Sequence, residues 1–211
     1  MKKIAIAFII LSMASCAKKN GDIKTVITSF VGNVTVNGKT VDSEGLAVKS
    51  GDLIQTGEES FCELIINEQN ILRISNNTRL VFNISDTESV LELKQGWLAG
   101  LTRKIFKNDR TFLVRTPTVV AAVRGTSFCT KVENPDSTYF CVCNGKIELK
   151  KSGGETGDMV ISPHHTARRY KKEKDGTLTI EKDPGLLYHD DKGVETLAKK
   201  INTTIDWTRV E

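Results

Sequence analysis

The residues able to do chemistry in this chain are few, and most lie in its second half. Among 211 residues there are five cysteines and three histidines. Cys141 and Cys143 are two apart in an apparent strand from Ser137 to Cys143, so their side chains share a face. Phe140 and Val142 make the apolar face of that strand, and Phe128 does the same in Gly125 to Val132. Cys129 therefore lies on the face of Cys141 and Cys143. A hairpin turning at Asn134-Pro135-Asp136 would let Cys129 bridge to Cys141 or Cys143, and a disulfide is the expected chemistry in an oxidising compartment. A zinc site from Cys-x-Cys plus Cys129 is the rival. The two-residue spacing and the absence of a histidine nearby in sequence argue against it, and neither metal nor cofactor is expected. Cys62 alternates with Leu64 and Ile66, as a small core residue would.

The histidines are His164, His165 and His189. Adjacent residues point in different directions on a helix or a strand, so His164 and His165 make a poor shared pair. His189-Asp190-Asp191 follows Pro184-Gly185 and reads as solvated turn chemistry. No Ser or Cys sits in a recognisable nucleophile elbow, and no Gly-rich phosphate loop precedes a helix, so no enzyme activity is expected. Two features suit binding. Arg124 ends the apolar run Val119 to Val123; its guanidinium fork can take a carboxylate of a ligand or partner, or hydrogen-bond the carbonyls of a neighbouring turn. The run Ala167 to Lys174 holds five basic residues in eight, Arg168, Arg169, Lys171 and Lys172 among them. It reads as a charged edge strand protected from aggregation, or as a contact for anionic headgroups, lipid A phosphates or sulfated glycans.

The elements that would carry these residues are short strands. From Ile23 to Ile161, apolar and polar residues alternate over four to seven positions, in pairs such as Leu64 and Ile66, Leu72 and Ile74, Leu80 and Phe82, Leu91 and Leu93, Ile147 and Leu149. Asn37-Gly38 and Asn144-Gly145 supply turn residues. Val119 to Val123 is continuously apolar, as a strand buried on both faces would be. Gly32 to Val36 with Gly51 to Ile54 is echoed by Gly145 to Leu149 with Gly157 to Val160, either as two similar hairpins or as units of a solenoid. The fold class is all-β: an antiparallel roll or sandwich, or a short solenoid. A C-terminal hairpin turns at Asp175-Gly176, and a short amphipathic helix carries Val194, Leu197, Ile201 and Ile205, expected to dock on the sheet.

The first residues read as an address. Lys2 and Lys3 precede an apolar stretch from Ile4 to Met13, then Ala14, Ser15 and Cys16. Leu11 to Cys16 resembles a bacterial lipobox, with Met13 in place of the usual leucine. The resemblance implies alkylation of the Cys16 sulfur with diacylglycerol, then cleavage that leaves Cys16 as the new N-terminus, with acyl chains such as palmitate holding the protein to the membrane. No apolar run reaches the ~18 residues of a spanning helix. The net charge of +4 shrinks once Lys2 and Lys3 are set aside, leaving 28 basic residues against 26 acidic, and nucleic acid is not an expected partner.

A family resemblance appears from Gly51-Asp52-Leu53-Ile54-Gln55-Thr56-Gly57 onward. It continues through Cys62-Glu63-Leu64, Asn77-Thr78-Arg79-Leu80 and Leu91 to Gly96, then through Thr116-Pro117 and Arg124-Gly125-Thr126-Ser127-Phe128. This order, from about Gly32 to Leu149, resembles the FecR-type extracytoplasmic domain. The resemblance implies an all-β module and, in the best-known members, a relay to an extracytoplasmic-function sigma factor. Such regulators need a cytoplasmic segment and a spanning helix, neither of which this sequence shows, so direct sigma-factor contact is not expected. The resulting layout is a signal peptide over 1–15, a lipidated tether over 16–22, a FecR-type all-β domain over 23–162, and an appendage of basic hairpin and helix over 163–211. The expected role is a non-catalytic, lipid-anchored protein of the bacterial cell envelope, on the periplasmic face of the outer membrane or at the surface. There it would bind an envelope protein or glycan. The alternatives are a surface-exposed structural or host-contact lipoprotein, or an accessory of signalling related to iron-uptake sensors.

Overall fold

The computed structural model describes residues 23–84, 88–103, 111–152, 154 and 157–210. In chain order the strands are β1 (Thr25–Val31), β2 (Val34–Val36), β3 (Lys39–Thr40), β4 (Asp52–Thr56), β5 (Phe61–Ile66), β6 (Asn70–Ile74), β7 (Arg79–Ile84) and β8 (Glu88–Leu101). They continue as β9 (Thr111–Arg115), β10 (Val119–Val123), β11 (Ser127–Asn134), β12 (Ser137–Lys151), β13 (Gly157–Ser162), β14 (Thr166–Lys172) and β15 (Leu178–Lys182), before the helix α1 (Asp191–Lys200). All strand pairs are antiparallel except β8 with β9. The expected all-β class holds, in its sandwich form.

Two long strands belong to both sheets. The first half of β8 pairs with β7 and β9 in one sheet, and its second half pairs with β6 and β11 in the other. Likewise β12 pairs with β11 and β14 up to Asn144, then with β10 and β13 from Gly145 onward. The first sheet therefore runs β1-β5-β6-β8-β11-β12-β14-β15, and the second runs β3-β2-β4-β7-β8-β9-β10-β12-β13. Each crossing sits at a glycine in a left-handed backbone: Gly96 with φ +89° and Gly145 with φ +123°. A Cβ on Gly96 would overlap Thr78, and one on Gly145 would sit 2.7 Å from Thr126 Oγ1. Only glycine fits such corners. Asn144-Gly145 is thus not the turn between strands that its dipeptide suggests; the chain bends there and stays hydrogen-bonded. Asn37-Gly38, with φ of +52° and +76°, is such a turn, joining β2 to β3.

The period-two residues fill the space between the sheets. Leu64, Leu72, Leu80, Phe82, Leu93, Phe128 and Ile147 are fully buried in one cluster that also holds Cys62, and Phe128 stacks on Phe140 at 5.7 Å. Burial raises the Cys62 thiol to about 12, as befits an inert core sulfur. Val119–Val123 departs from expectation. Val119, Ala121 and Val123 are buried while Val120 and Ala122 are only half-buried. Met159 and Ile161, on β13 of the same sheet, stand more than half exposed, so among the described residues the outer face of the second sheet has no apolar cover there.

The outer face of the first sheet is covered. Leu197, Ala198 and Ile201 pack on Ile71, Ala99 and Leu101, while Val194 joins Cys129, Tyr139, Cys141, Cys143 and Ala167. The helix ends at Lys200, so Ile205 reaches the same layer from the loop beyond rather than from the helical stripe. Asp190 caps α1 by accepting from Gly193 N at 2.7 Å, and Lys199 and Lys200 close its last turn. Lys200 also pairs with Glu63, a fully buried carboxylate whose other partner is Arg73 at 3.3 Å. The hairpin β14–β15 turns at Asp175-Gly176 as expected. Through β14 it is a full member of the first sheet, pairing with β12 from Ser137 to Val142.

Candidate functional site

The three neighbouring cysteines share a face, as their strand positions demand. β11 and β12 form the hairpin at Asn134-Pro135-Asp136, and Cys129 stands directly across from Cys141. All three sulfurs are buried on the outer face of the first sheet, beneath the C-terminal cover, and all are free thiols. The expected disulfide partners are thus neighbours, each sulfur engaged elsewhere. Cys129 Sγ accepts from the Trp97 indole N–H, Cys141 Sγ lies 3.7 Å from His165 Nδ1, and Cys143 Sγ lies 3.1 Å from His189 Nε2.

Chain geometry explains how the histidines arrive. His165 sits in the turn between β13 and β14 with φ +49°, an uncommon conformation for a non-glycine residue. Its backbone N–H bonds to the Cys143 carbonyl at 2.9 Å, fixing the ring over the two sulfurs. His189 comes from the segment that leads into α1, and its Nε2 lies 3.2 Å from His165 Nδ1. On the far side of the His165 ring, Nε2 is 2.7 Å from Asp191 Oδ1, and Nδ1 is turned toward the sulfurs. Exposed His164 shares Asp191 at 3.0 Å, and Trp207 lies against both rings, with centroids at 4.9 and 5.1 Å. One ligand atom from each of Cys141, Cys143, His165 and His189 falls within 4.8 Å of every other.

The electrostatics of the pair are lopsided. The Cys141 thiol is drawn well below its usual range, first by the hydrogen bond from Cys143 and then, against burial, by His165 and His189. Cys143 is pushed up by burial and by its place beside Cys141. The Asp191 carboxyl is held low, chiefly by His164.

The cover is tied down around this cluster. Asn144, nearly fully buried, donates to the carbonyls of Pro163, Asp206 and Arg209 at 2.7–3.0 Å. Tyr139 donates to the Gly185 carbonyl at 3.0 Å, and Trp207 donates to Glu195 at 3.0 Å. Glu133 accepts from Tyr188 at 2.6 Å and takes a bidentate grip from Arg169. Two depressions meet at Trp97 and Tyr188. One, about 400 Å³, is rimmed by Asn77, Gln95, Lys131 and Glu133; the other, about 330 Å³, by Arg73, His189 and Leu197.

The remaining candidates lie elsewhere. Cys16 is outside the described residues. Arg124 is exposed at the end of β10, on the far side of the sandwich from the cysteines, and its carbonyl accepts from Thr126 Oγ1 at 3.1 Å. The basic run is largely paired within the chain: Arg168 with Asp158 at 3.5 Å, Arg169 with Glu133 and Glu181, and Lys171 with Glu181 at 3.1 Å. Lys172 is exposed. Sequence reasoning set aside His165, His189 and Asp191, and the signal for them is weak. They lie 22 to 50 positions from Cys141 and Cys143; the pairing of β12 with β13 and β14 brings His165 close, and the docking of α1 brings His189 and Asp191.

Residues 52–148, from β4 to near the end of β12, match the family described as FecR protein. The chain carries a FecR domain. The domain supplies Cys141 and Cys143, while His165, His189 and Asp191 come from beyond its matched end. No curated protein matches the chain. Two crystal structures of a proposed anti-sigma factor from Parabacteroides distasonis ATCC 8503 share the fold, each with a TM-score of 0.50 and 14% identity. One match covers 73% of this chain and 80% of that one; the other covers 71% and 73%. At that identity the likeness is one of fold. Among the described residues no helix is long and apolar enough to cross a membrane.

Proposed function

We propose that this chain is a non-catalytic, lipid-anchored protein of the bacterial envelope. In this reading its FecR domain acts as an adaptor for an envelope partner, protein or glycan. The observation that carries the reading is the pair of depressions meeting at Trp97 and Tyr188. Two amphipathic rings lie beside Asn77, Gln95, Lys131 and Glu133, a mix of aromatic area and hydrogen-bonding rim suited to recognition. The basic hairpin is the weaker contact surface, because Arg168, Arg169 and Lys171 already hold acidic partners. Since the chains that share the fold are proposed anti-sigma factors, the partner we favour belongs to a transmembrane signalling relay, with this chain on its envelope side.

A photoreactive residue at exposed Gln95 tests the reading in cells. A discrete adduct from Gln95, with none from Thr177 at the hairpin tip, is the expected result. An adduct from Thr177 alone would move the contact to the hairpin and overturn the assignment. The anchor is tested separately: Cys16→Ala should abolish incorporation of an alkyne fatty acid.

A further inference from the structure

We propose that Cys141, Cys143, His165 and His189 bind a single zinc ion as a closed, tetrahedral, structural site, with Asp191 as the carboxylate that orients His165. The argument rests first on distances. Zinc bonds of about 2.3 Å to sulfur and about 2.0–2.1 Å to nitrogen place tetrahedral ligand atoms roughly 3.3–3.8 Å apart. The neighbouring ligand atoms here lie 3.1, 3.2 and 3.7 Å apart, and none of the four is beyond 4.8 Å from another. That spacing surrounds one ion and leaves no room for the sulfides of an iron–sulfur cluster. Two thiolates and two imidazoles in this arrangement suit zinc rather than calcium or magnesium, which take oxygen.

Charge and orientation agree with the distances. Two thiolates, two neutral imidazoles and one divalent cation sum to zero, the charge that a buried position tolerates. On coordination, each ligating thiol gives its proton up to solvent. His165 hands its distal N–H to Asp191 and turns Nδ1 inward, the carboxylate–histidine pattern of ligating imidazoles. Its left-handed backbone is a local cost kept at the one turn residue whose ring reaches the sulfurs. All four positions are filled by protein, so the site holds structure and offers no opening for substrate. The ion would join three separate pieces of chain: strand β12, the turn between β13 and β14, and the segment that leads into α1. Cys129, beside Trp97, stays outside the set.

The test uses the whole chain, purified reduced, stripped with chelator and titrated with cobalt(II) and then zinc. One equivalent of cobalt should give the visible bands of a tetrahedral ion and a thiolate-to-metal band, both erased by one equivalent of zinc. Asp191→Asn should weaken zinc binding about 10–100-fold with the cobalt bands unmoved. Cys129→Ala should bind as the parent does, whereas Cys141→Ser with Cys143→Ser should lose the thiolate band. X-ray absorption on the zinc-loaded parent needs no variant to fold, and should count two sulfur and two imidazole neighbours. A folded chain that gives no stoichiometric thiolate band, or any other donor count, overturns the assignment. So does a band that depends on Cys129 and survives loss of Cys143.

Discussion

Between the sheets, Leu64, Leu72, Leu80, Leu91 and Phe128 join one apolar cluster whose members are interchangeable in chemistry if not in shape. On the other face of the first sheet, Trp97, Cys129, Tyr139, Cys141 and Cys143 meet a layer that answers polar atoms one by one. The indole donates to sulfur, a phenol to a carbonyl, and two imidazoles face two thiols. Both regions exclude water, but they resist change differently. The first depends on filled volume, and the second on direction, which few substitutions preserve.

The contrast can be broken most sharply at Phe128. Phe128→Ala removes a ring stacked at the centre of the sandwich and should cost about 4 kcal/mol in chemical denaturation. Such a loss should leave the strand pairing of whatever remains folded unaltered. Gly96→Ala strikes the corner that both regions share. A left-handed backbone and the approach of Thr78 should make it cost about 3 kcal/mol, read by the same melt. Glu63→Ala separates the regions. Removing a buried carboxylate whose partners, Arg73 and Lys200, are partly solvated should cost about 2 kcal/mol, less than for a fully enclosed pair. Hydrogen exchange in α1 should rise before exchange in the sandwich does. If both rise together, the cover is no separate unit.

The smallest expected effect is at the rim. The Glu133 carboxyl is held below its ordinary value: burial works against the shift and is outweighed by Arg169, Ser137 and Tyr188. A lowered folded value means that its contribution is complete above the unfolded carboxylate range and fades as pH falls through the folded value. Glu133→Gln should flatten the acid side of a stability–pH curve and leave the neutral side lower. An unchanged acid limb would assign that slope to other carboxylates.

Much of the sandwich was legible because each strand announces itself locally. Leu80 and Phe82, or Leu91 and Leu93, state their inward face within three residues. The shared face of Cys129, Cys141 and Cys143 followed from the same alternation, as did the hairpin at Asn134-Pro135-Asp136. Asn144-Gly145 misled because a dipeptide suited to a turn also suits a corner where a strand changes sheets. Val119 to Val123 misled because an apolar run does not report whether a second layer exists to cover it. The cluster itself was illegible for a stronger reason. His165 points at sulfur only because its backbone is left-handed, and His189 arrives only because α1 docks where it does. Neither fact leaves a mark in the spacing of the residues, so histidines that looked unrelated to the thiols came to face them.

The order in which these groups leave the ribosome follows from their separation. Cys129, Cys141 and Cys143 emerge together on adjoining strands, and His189 follows 46 residues after Cys143. At roughly 5–20 residues per second, the thiols wait about 2–9 s for their last imidazole. During that interval Cys129 and Cys141 stand directly opposed across the hairpin without the His189 ring beside them. The sulfurs are thus covered only once the C-terminal fifty residues dock, and an oxidant met before that docking finds Cys129 and Cys141 already face to face.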